Sequence, residues 1–469
     1  MKSAPALILP VFLVAGCAPY SYHPASISPP VIARQLASRS LNDPGLRTWM
    51  ENTAQYRPPT WPLESWDLRA LTLAAWYFNP DLDVARTNLE AANAAITTAA
   101  MKPNPSASVG PGYETAPESP FMLTFDFSVP IETAGKRADR IAVARHVSEA
   151  TRIQLAEAAW TVRSRVRAAW VNYIFASRIA DLLQEQVALQ GRYADLLQKR
   201  FEAGEIPLPE ATTAQIDLTN LRQALRSAEG QLSVERASLA SAIGIPDAAL
   251  AEKQITWPEA ESPPSPSELP STQIRDAAVL NRLDVERALA EYKAAQARLQ
   301  LEVARQYPDV ELGPGYGFEE GYHLISLSLS SVLPLRNHNQ GPIAEAEAER
   351  KVAGAQLLAA QSTVIADTEK ALAQYQASWN TLAESRQAVR QVESQYRAVQ
   401  RAFAAGEGDQ LTVTAAGIQR MVAERSSTDA LLQTQLSLGL LEDALQRPIA
   451  PSVPVNLPPE MPREQEKLP

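Results

Sequence analysis

Two stretches of this chain carry the same residue pattern in the same order, about 202 residues apart. Val109-Gly110-Pro111-Gly112-Tyr113 returns as Leu312-Gly313-Pro314-Gly315-Tyr316, and Pro130 returns as Pro334. Phe201-Glu202-Ala203-Gly204-Glu205 returns as Phe403-Ala404-Ala405-Gly406-Glu407, and Ile245-Pro246 returns near Arg447-Pro448. An offset kept across roughly 140 residues of mixed pattern requires two tandem copies of one structural unit. Length alone would allow two to four ordinary domains in 469 residues. The repeat instead makes the chain two pseudo-equivalent halves of one body.

Each copy opens with alternating strands. In 121–130, Phe121, Leu123, Phe125, Phe127 and Val129 alternate with Thr124, Asp126 and Ser128, with Met122 as the exception. Period two over that length predicts a strand. Its partner spans 106–114, where Ala107, Val109, Pro111 and Tyr113 alternate with small or polar residues. In the second copy Val310, Leu312, Pro314, Tyr316 and Phe318 form one alternating set, and Ile325, Leu327 and Leu329 alternate with Ser326, Ser328 and Ser330. The hairpins are placed at 105–130 and 307–334, joined by short polar loops at 115–120 and 319–322. Strands of this length match a tilted membrane strand. The Gly-Pro-Gly triplets suit a sharply curved wall better than a flat sheet. A soluble sheet with one face on a core is the other reading, but the neighbours are long helices, with no amphipathic partner layer.

Those helices are read at 136–203 and 342–405. In the first, Leu155, Ala159, Val162, Val166, Ala169, Tyr173, Ala176, Ala180, Leu183 and Val187 alternate steps of four and three, a heptad seam. The second repeats it from Val364 through Thr368, Ala371 and Tyr375 to Phe403. A helix of about 65 residues is about 100 Å long, more than a compact domain holds. Each long helix stops at a glycine, Gly204 or Gly406. A returning helix follows at 209–245 and at 410–446. The copies span 67–246 and 273–447, each beginning with a shorter helix. A Pro-rich linker, 247–272, separates them, and a Pro-rich tail runs over 448–469. Residues 17–66, rich in Pro, Ser, Tyr and Trp, lack periodicity and are read as an extended arm.

The single cysteine is Cys17. Lys2 and the apolar run 7–15 precede it, a basic start and a hydrophobic stretch too short to span a bilayer. Val14-Ala15-Gly16-Cys17 resembles the lipobox of bacterial lipoproteins. That resemblance implies removal of residues 1–16, a covalent lipid on Cys17 and, with Ala18 following, an outer-membrane address. An ordinary secretory leader with a stray cysteine is the alternative. No later segment approaches a transmembrane helix in length, so any crossing must be made by strands. The formal charge of −10, with no Lys/Arg cluster, argues against nucleic acid as a partner.

The order of elements, twice over, resembles the TolC-like outer-membrane efflux proteins across about residues 67–446: helix, two strands, very long helix, Gly-Glu tip, returning helix. The resemblance implies a mainly α fold with a membrane β component. Each repeat gives a β-hairpin to an oligomeric 12-stranded barrel and very long coiled-coil helices to a periplasmic tunnel. It implies a homotrimer in a Gram-negative outer membrane, acting as the passive exit channel of a tripartite pump for small molecules or metal ions. Its partners would be a periplasmic adaptor, an inner-membrane pump and outer-membrane lipid. The tips, with Phe201, Gly204, Glu205, Phe403, Gly406 and Glu407, would meet the adaptor. Acids near the tips project into the aperture in the family. Glu210 and Asp409 are the candidates here, although Thr412 and Ala415 stand where paired aspartates would, and Pro207 and Pro209 depart from the usual first tip. An aperture ring and ordinary solvated charges both remain open for these acids. Thr124, Asp126, Ser128, Ser326, Ser328 and Ser330 would line the bore, and Phe121, Phe125, Phe127 and Leu327 would meet lipid.

Elementary constraints reach the oligomer independently. Four strands cannot close a barrel, and open edges are not tolerated in lipid. Eight strands, from two copies, leave a barrel filled by side chains. A conducting bore therefore needs three copies or more. One rival is a periplasmic coiled-coil adaptor or scaffold lipoprotein without a pore, which would explain the heptads and Cys17 but not the four apolar-faced strands. An enzyme is disfavoured: His23, His146, His323 and His338 do not pair at ligand spacing, and no nucleophile elbow, metal box or phosphate-binding loop appears. No cofactor is expected apart from the lipid on Cys17. Whether the cargo is a metal ion, a drug or another solute is not written in the residues.

Overall fold

A computed structural model describes residues 22–24, 27–113, 115, 121–251, 253–257, 260–269, 282–319 and 321–449. Cys17 and residues 450–469 of the tail lie outside the described residues.

The arm is not simply extended. It contains two helices, α1 (Pro29–Ala37) and α2 (Pro44–Asn52), each opening on proline, whose fixed φ and missing N–H suit a first turn. Asp43 caps α2 by accepting from the Gly45 N–H at 2.7 Å. Leu46, Trp49 and Met50 then fall on one buried face. Nine-residue helices are marginal on their own, so burial of that face is what stabilises α2. The arm next forms β1 (Ser65–Trp66), followed by α3 (Leu68–Phe78) and α4 (Pro80–Ala100), capped by Asp67 and Asn79.

Two strands follow, β2 (Ser106–Tyr113) and β3 (Phe121–Ile131), then the long helix α5 (Lys136–Glu202) and the returning helix α6 (Leu208–Ile243). The segment read as a linker is packed rather than loose. Its β4 (Gln254–Ile255) pairs in parallel with β1, and Trp257 stacks on Trp170 of α5 with ring centroids 4.2 Å apart. The second copy supplies α7 (Leu283–Ala304), β5 (Val310–Glu319), β6 (Tyr322–Ser331), α8 (Gln340–Ala404) and α9 (Gln410–Leu445).

In each copy two shorter helices meet end to end beside the long one. Asn79 at the start of α4 donates to the carbonyl of Ala242 at the end of α6, 3.0 Å away. Arg282 before α7 donates to Ala444 of α9 at 3.1 Å, and Gln446 accepts from the Leu283 N–H at 2.6 Å. These bonds satisfy carbonyls and N–H groups that helix ends leave open. Laterally, α5 packs against α4 and α6 on one flank and against α7 and α9 on the other, and α8 packs on α7 and α9. The result is a row of helices whose two outer members, α6 and α8, each keep an uncovered side. Ile216, Val234, Val352 and Leu358 are exposed there. The main core lies midway along the row, where α3 wedges Leu71, Ala74 and Phe78 against Val162, Val166 and Phe175 of α5 and Leu239 of α6. The Trp76 indole donates to the Ala159 carbonyl at 3.1 Å.

The hairpins join into one antiparallel sheet in the order β2-β3-β5-β6. β3 and β5 pair from Leu123 opposite Phe318 to Ile131 opposite Val310, which stitches the two repeats together. At the base, Asp309 accepts from the Thr133 N–H at 2.9 Å and from Lys136 at 2.7 Å. Glycine at β5 is needed for close approach. A Cβ on Gly313 would stand 2.8 Å from the Phe127 carbonyl oxygen and 2.5 Å from Ser328 Oγ. Gly313→Ala is therefore expected to destabilise the sheet by about 1–3 kcal/mol, the range for overpacking. The urea midpoint of the detergent-folded protein would show it.

Candidate functional site

Register divides the sheet into two unlike faces. Side chains alternate across a strand, so partners in one row share a face. One row reads Ser108, Asp126, Gly315, Ser326, and the next reads Gly110, Thr124, Gly317, Leu324. Ser128, Ser328 and Ser330 continue the same face. Thr124 Oγ1 donates to the Gly110 carbonyl at 3.2 Å, Ser328 Oγ to Gly313 at 3.0 Å, and Ser128 Oγ to Glu311 Oε2 at 3.2 Å. Hydroxyls lying over glycines make this the crowded, small-residue side. Asp126, Glu311 and Glu319 are its charged residues among those described, and all three are acids. The opposite face carries Val109, Tyr113, Phe121, Phe125, Phe127, Tyr316, Ile325, Leu327 and Leu329, all exposed. Ile325 is 86% and Leu327 73% accessible, and nothing in the described chain covers them. An apolar sheet face of this extent is not left to water in a monomer. Both outer strands, β2 and β6, keep an unpaired edge. No described helix is long and apolar enough to cross a membrane.

The opposite end of the long helices carries the tips. Gly204 and Gly406 adopt φ of +77° and +82° with open space around them, so backbone conformation alone demands glycine. The N–H of Glu205 returns to the Arg200 carbonyl and that of Glu407 to Ala402, both at 2.9 Å. These are Schellman closures of α5 and α8. Phe403 is exposed, Phe201 half-buried. The two tips are joined: Arg200 pairs with Asp409 at 2.6 Å, and Leu411 packs with Ile206 on the Ala194, Leu197, Ala214 and Leu218 cluster.

Of the two acids read as aperture candidates, Glu210 stands exposed in the first turn of α6. Asp409 has a structural role at the tip. It caps α9, its Oδ1 accepting from the Thr412 N–H at 2.8 Å and the Thr412 hydroxyl at 2.6 Å. These bonds, the Thr412 hydroxyl foremost, together with Arg200, hold its pKa down at about 2. A depressed folded pKa adds stability above the unfolded value near 3.9, and the gain is lost as pH falls through that value toward 2. Asp409→Ala should cost the α9 end about 1 kcal/mol, mostly as a lost cap, since the partly exposed ion pair contributes little. Hydrogen exchange at 410–413 would speed up selectively, and the difference from the parent protein would shrink below pH 4.

A third feature is absent from the sequence reading. Arg163 and Arg167 of α5 are buried against Glu442 of α9, whose Oε2 lies 3.0 Å from Arg163 Nη2 and 3.1 Å from Arg167 Nε. Arg167 also donates to the Gln435 carbonyl at 3.0 Å. Gly439 makes room, since a Cβ there would collide with Arg167 Nη1. Burial pulls the Arg167 pKa down and pushes that of the neighbouring, half-buried Asp443 up. The only sequence signal was a pair of arginines spaced i, i+4 directly beside the seam residues Val162 and Val166.

An open-edged sheet with one apolar, uncovered face, carried on helices about 100 Å long, has the architecture of a membrane channel subunit. Residues 75–245 and 274–445 match the outer membrane efflux protein family, one match per repeat, and the chain belongs to that family. It is 28% identical over 274 residues to the cobalt-zinc-cadmium resistance protein CzcC of Cupriavidus metallidurans. That match spans 58% of this chain and 63% of CzcC, less than two thirds of the relative. The fold is similar to the outer membrane protein VceC of Vibrio cholerae, with a TM-score of 0.65 and 18% identity over 86% of this chain and 99% of that one. It is also similar to the MtrE outer membrane channel of Neisseria gonorrhoeae, with a TM-score of 0.64 and 17% identity over 81% of this chain and 89% of that one.

Proposed function

We propose that three copies of this chain close a 12-stranded barrel and a helical tunnel, forming the passive outer-membrane exit of a tripartite efflux system. The observation that carries this reading is the two-faced sheet with both edges free. In lipid each edge must find a partner, and a second copy of the same sheet supplies one. Two copies leave no bore, whereas three do. The uncovered sides of α6 and α8 fit the same closure, α6 of one subunit lying against α8 of the next. Thr124, Asp126, Ser128, Ser326, Ser328 and Ser330 would then face the bore. The joined tips, with Phe201, Gly204, Glu205, Phe403, Gly406 and Glu407, would receive a periplasmic adaptor coupled to an inner-membrane pump. A lipid on Cys17 would anchor the arm to the outer membrane. No catalytic step is needed.

Metal cations are the cargo we favour. The likeness to a cobalt-zinc-cadmium resistance protein supports this, as do Asp126, Glu311 and Glu319, which would form acidic rings in a threefold bore. The test is reversal potential across a planar bilayer in a salt gradient. The parent protein should prefer cations, and Asp126→Asn with Glu311→Gln should reduce that preference. Deletion in the native host should raise sensitivity to zinc, cobalt or cadmium. A delipidated protein that stays a water-soluble monomer would overturn the channel; unchanged metal tolerance would overturn only the cargo.

A further inference from the structure

A cavity of about 600 Å³ lies midway along the molecule, between the helical row and the arm and linker segments that cross it. Its wall includes Arg163, Arg167, Trp170, Gln435 and Glu442, with the exposed Glu64 and Asp67 also on its lining. The inner wall is unbalanced in hydrogen bonds. Two guanidiniums, 1% and 5% exposed, share a single carboxylate oxygen of Glu442, whose other oxygen accepts from the Ile449 N–H at 3.0 Å. Arg163 Nε and Nη1 and the Trp170 indole N–H have no acceptor among the described residues, whereas Gln435 Oε1 is a buried side-chain acceptor there without a donor. Asp443 of α9 also acts electrostatically on both arginines, but its hydrogen bonds go to Trp160 at 3.2 Å and to Ser164. Asp67 is taken up as the cap of α3.

Unpaired donors on buried cations are costly, because a low-dielectric site strengthens whatever remains uncompensated. Water could satisfy the N–H groups but would bring no negative charge to the buried guanidiniums. A planar or tetrahedral oxyanion does both, and a guanidinium fork matches its geometry. The volume is ample, since a water occupies about 30 Å³. We propose that this cavity binds a small oxyanion, a carboxylate, sulfate or phosphate group, held by Arg163 and Arg167 at the seam between the tunnel wall and the band of arm and linker around it. The bound ion would clamp β1, β4 and Trp257 to α5 and α9. This assignment is independent of what the channel conducts.

The test uses the full-length protein in neutral detergent micelles, in a zwitterionic buffer, with thermal unfolding followed at constant ionic strength. Sodium sulfate, sodium phosphate and sodium acetate are titrated against sodium chloride. The proposal expects a saturable rise in midpoint at low millimolar oxyanion that chloride does not give, and a loss of that response in Arg167→Gln. A second variant covers the case in which Arg167→Gln fails to fold. Glu442→Gln leaves both arginines without their carboxylate, so it should be less stable in chloride yet recover with oxyanion, half-saturating at about tenfold lower concentration. A cavity holding only water gives no saturation, an equal response in Arg167→Gln, or a Glu442→Gln protein that no oxyanion restores, and any of these overturns the proposal.

Discussion

Leu327→Arg should cost the barrel about 2–4 kcal/mol, the penalty for a cation on the lipid face near the bilayer midplane. Leu327 sits mid-strand in β6 opposite Pro314, 73% exposed on the apolar face. The residue before it makes the control. Ser326 lies opposite Gly315 on the other face, and Gly315 in turn lies opposite Asp126. Ser326→Arg adds the same charge one position away, over a glycine and beside a carboxylate. It should fold nearly as well as the parent and instead weaken cation preference in the bilayer. The comparison separates a membrane sheet from a soluble one. Outer-membrane fractions would be scored for folded oligomer by heat-modifiable migration and urea midpoint. If the two arginine variants behaved alike, the assignment of faces would be wrong.

Glu442→Leu is expected to be the most damaging single change in the helical body, at about 3–5 kcal/mol. Its carboxylate is the shared partner of two buried guanidiniums, so its loss strands two charges at once. The size of the effect would measure exposed desolvation cost rather than the worth of the pair. A triple variant with Arg163→Met and Arg167→Met should recover most of the loss, because a buried ion network often exchanges for apolar side chains at little net cost. Were Glu442→Leu within 1 kcal/mol of the parent, the network would have to be solvated in the assembled protein.

Much of this architecture was legible because it rests on local rules. Period two marked Phe121 to Val129 and Ile325 to Leu329, and it depends only on the pleat. The long helices announced themselves by an uninterrupted heptad seam and by glycines at 204 and 406, where the backbone must turn left-handed. The helices α1 and α2 were missed because nine residues carry too little propensity; α2 is held by the contacts of Leu46, Trp49 and Met50, whereas α1 buries no residue. Asp409 drew attention because charge is visible in a sequence, whereas the cap it forms on α9 is not. The buried arginines were passed over for a related reason: arginine is assigned to the surface unless a partner is known, and Glu442 lies 279 residues from Arg163.

By itself the sequence determined the repeat, the alternation of each strand, the reach of each long helix and the positions of the turns, all consequences of steric rules acting over a few residues. Tertiary structure alone decided that β3 pairs with β5, that the arm and linker fold back onto α5, and that two arginines meet one glutamate. Those outcomes turn on contacts between distant segments, where burial and charge compensation outweigh local preference.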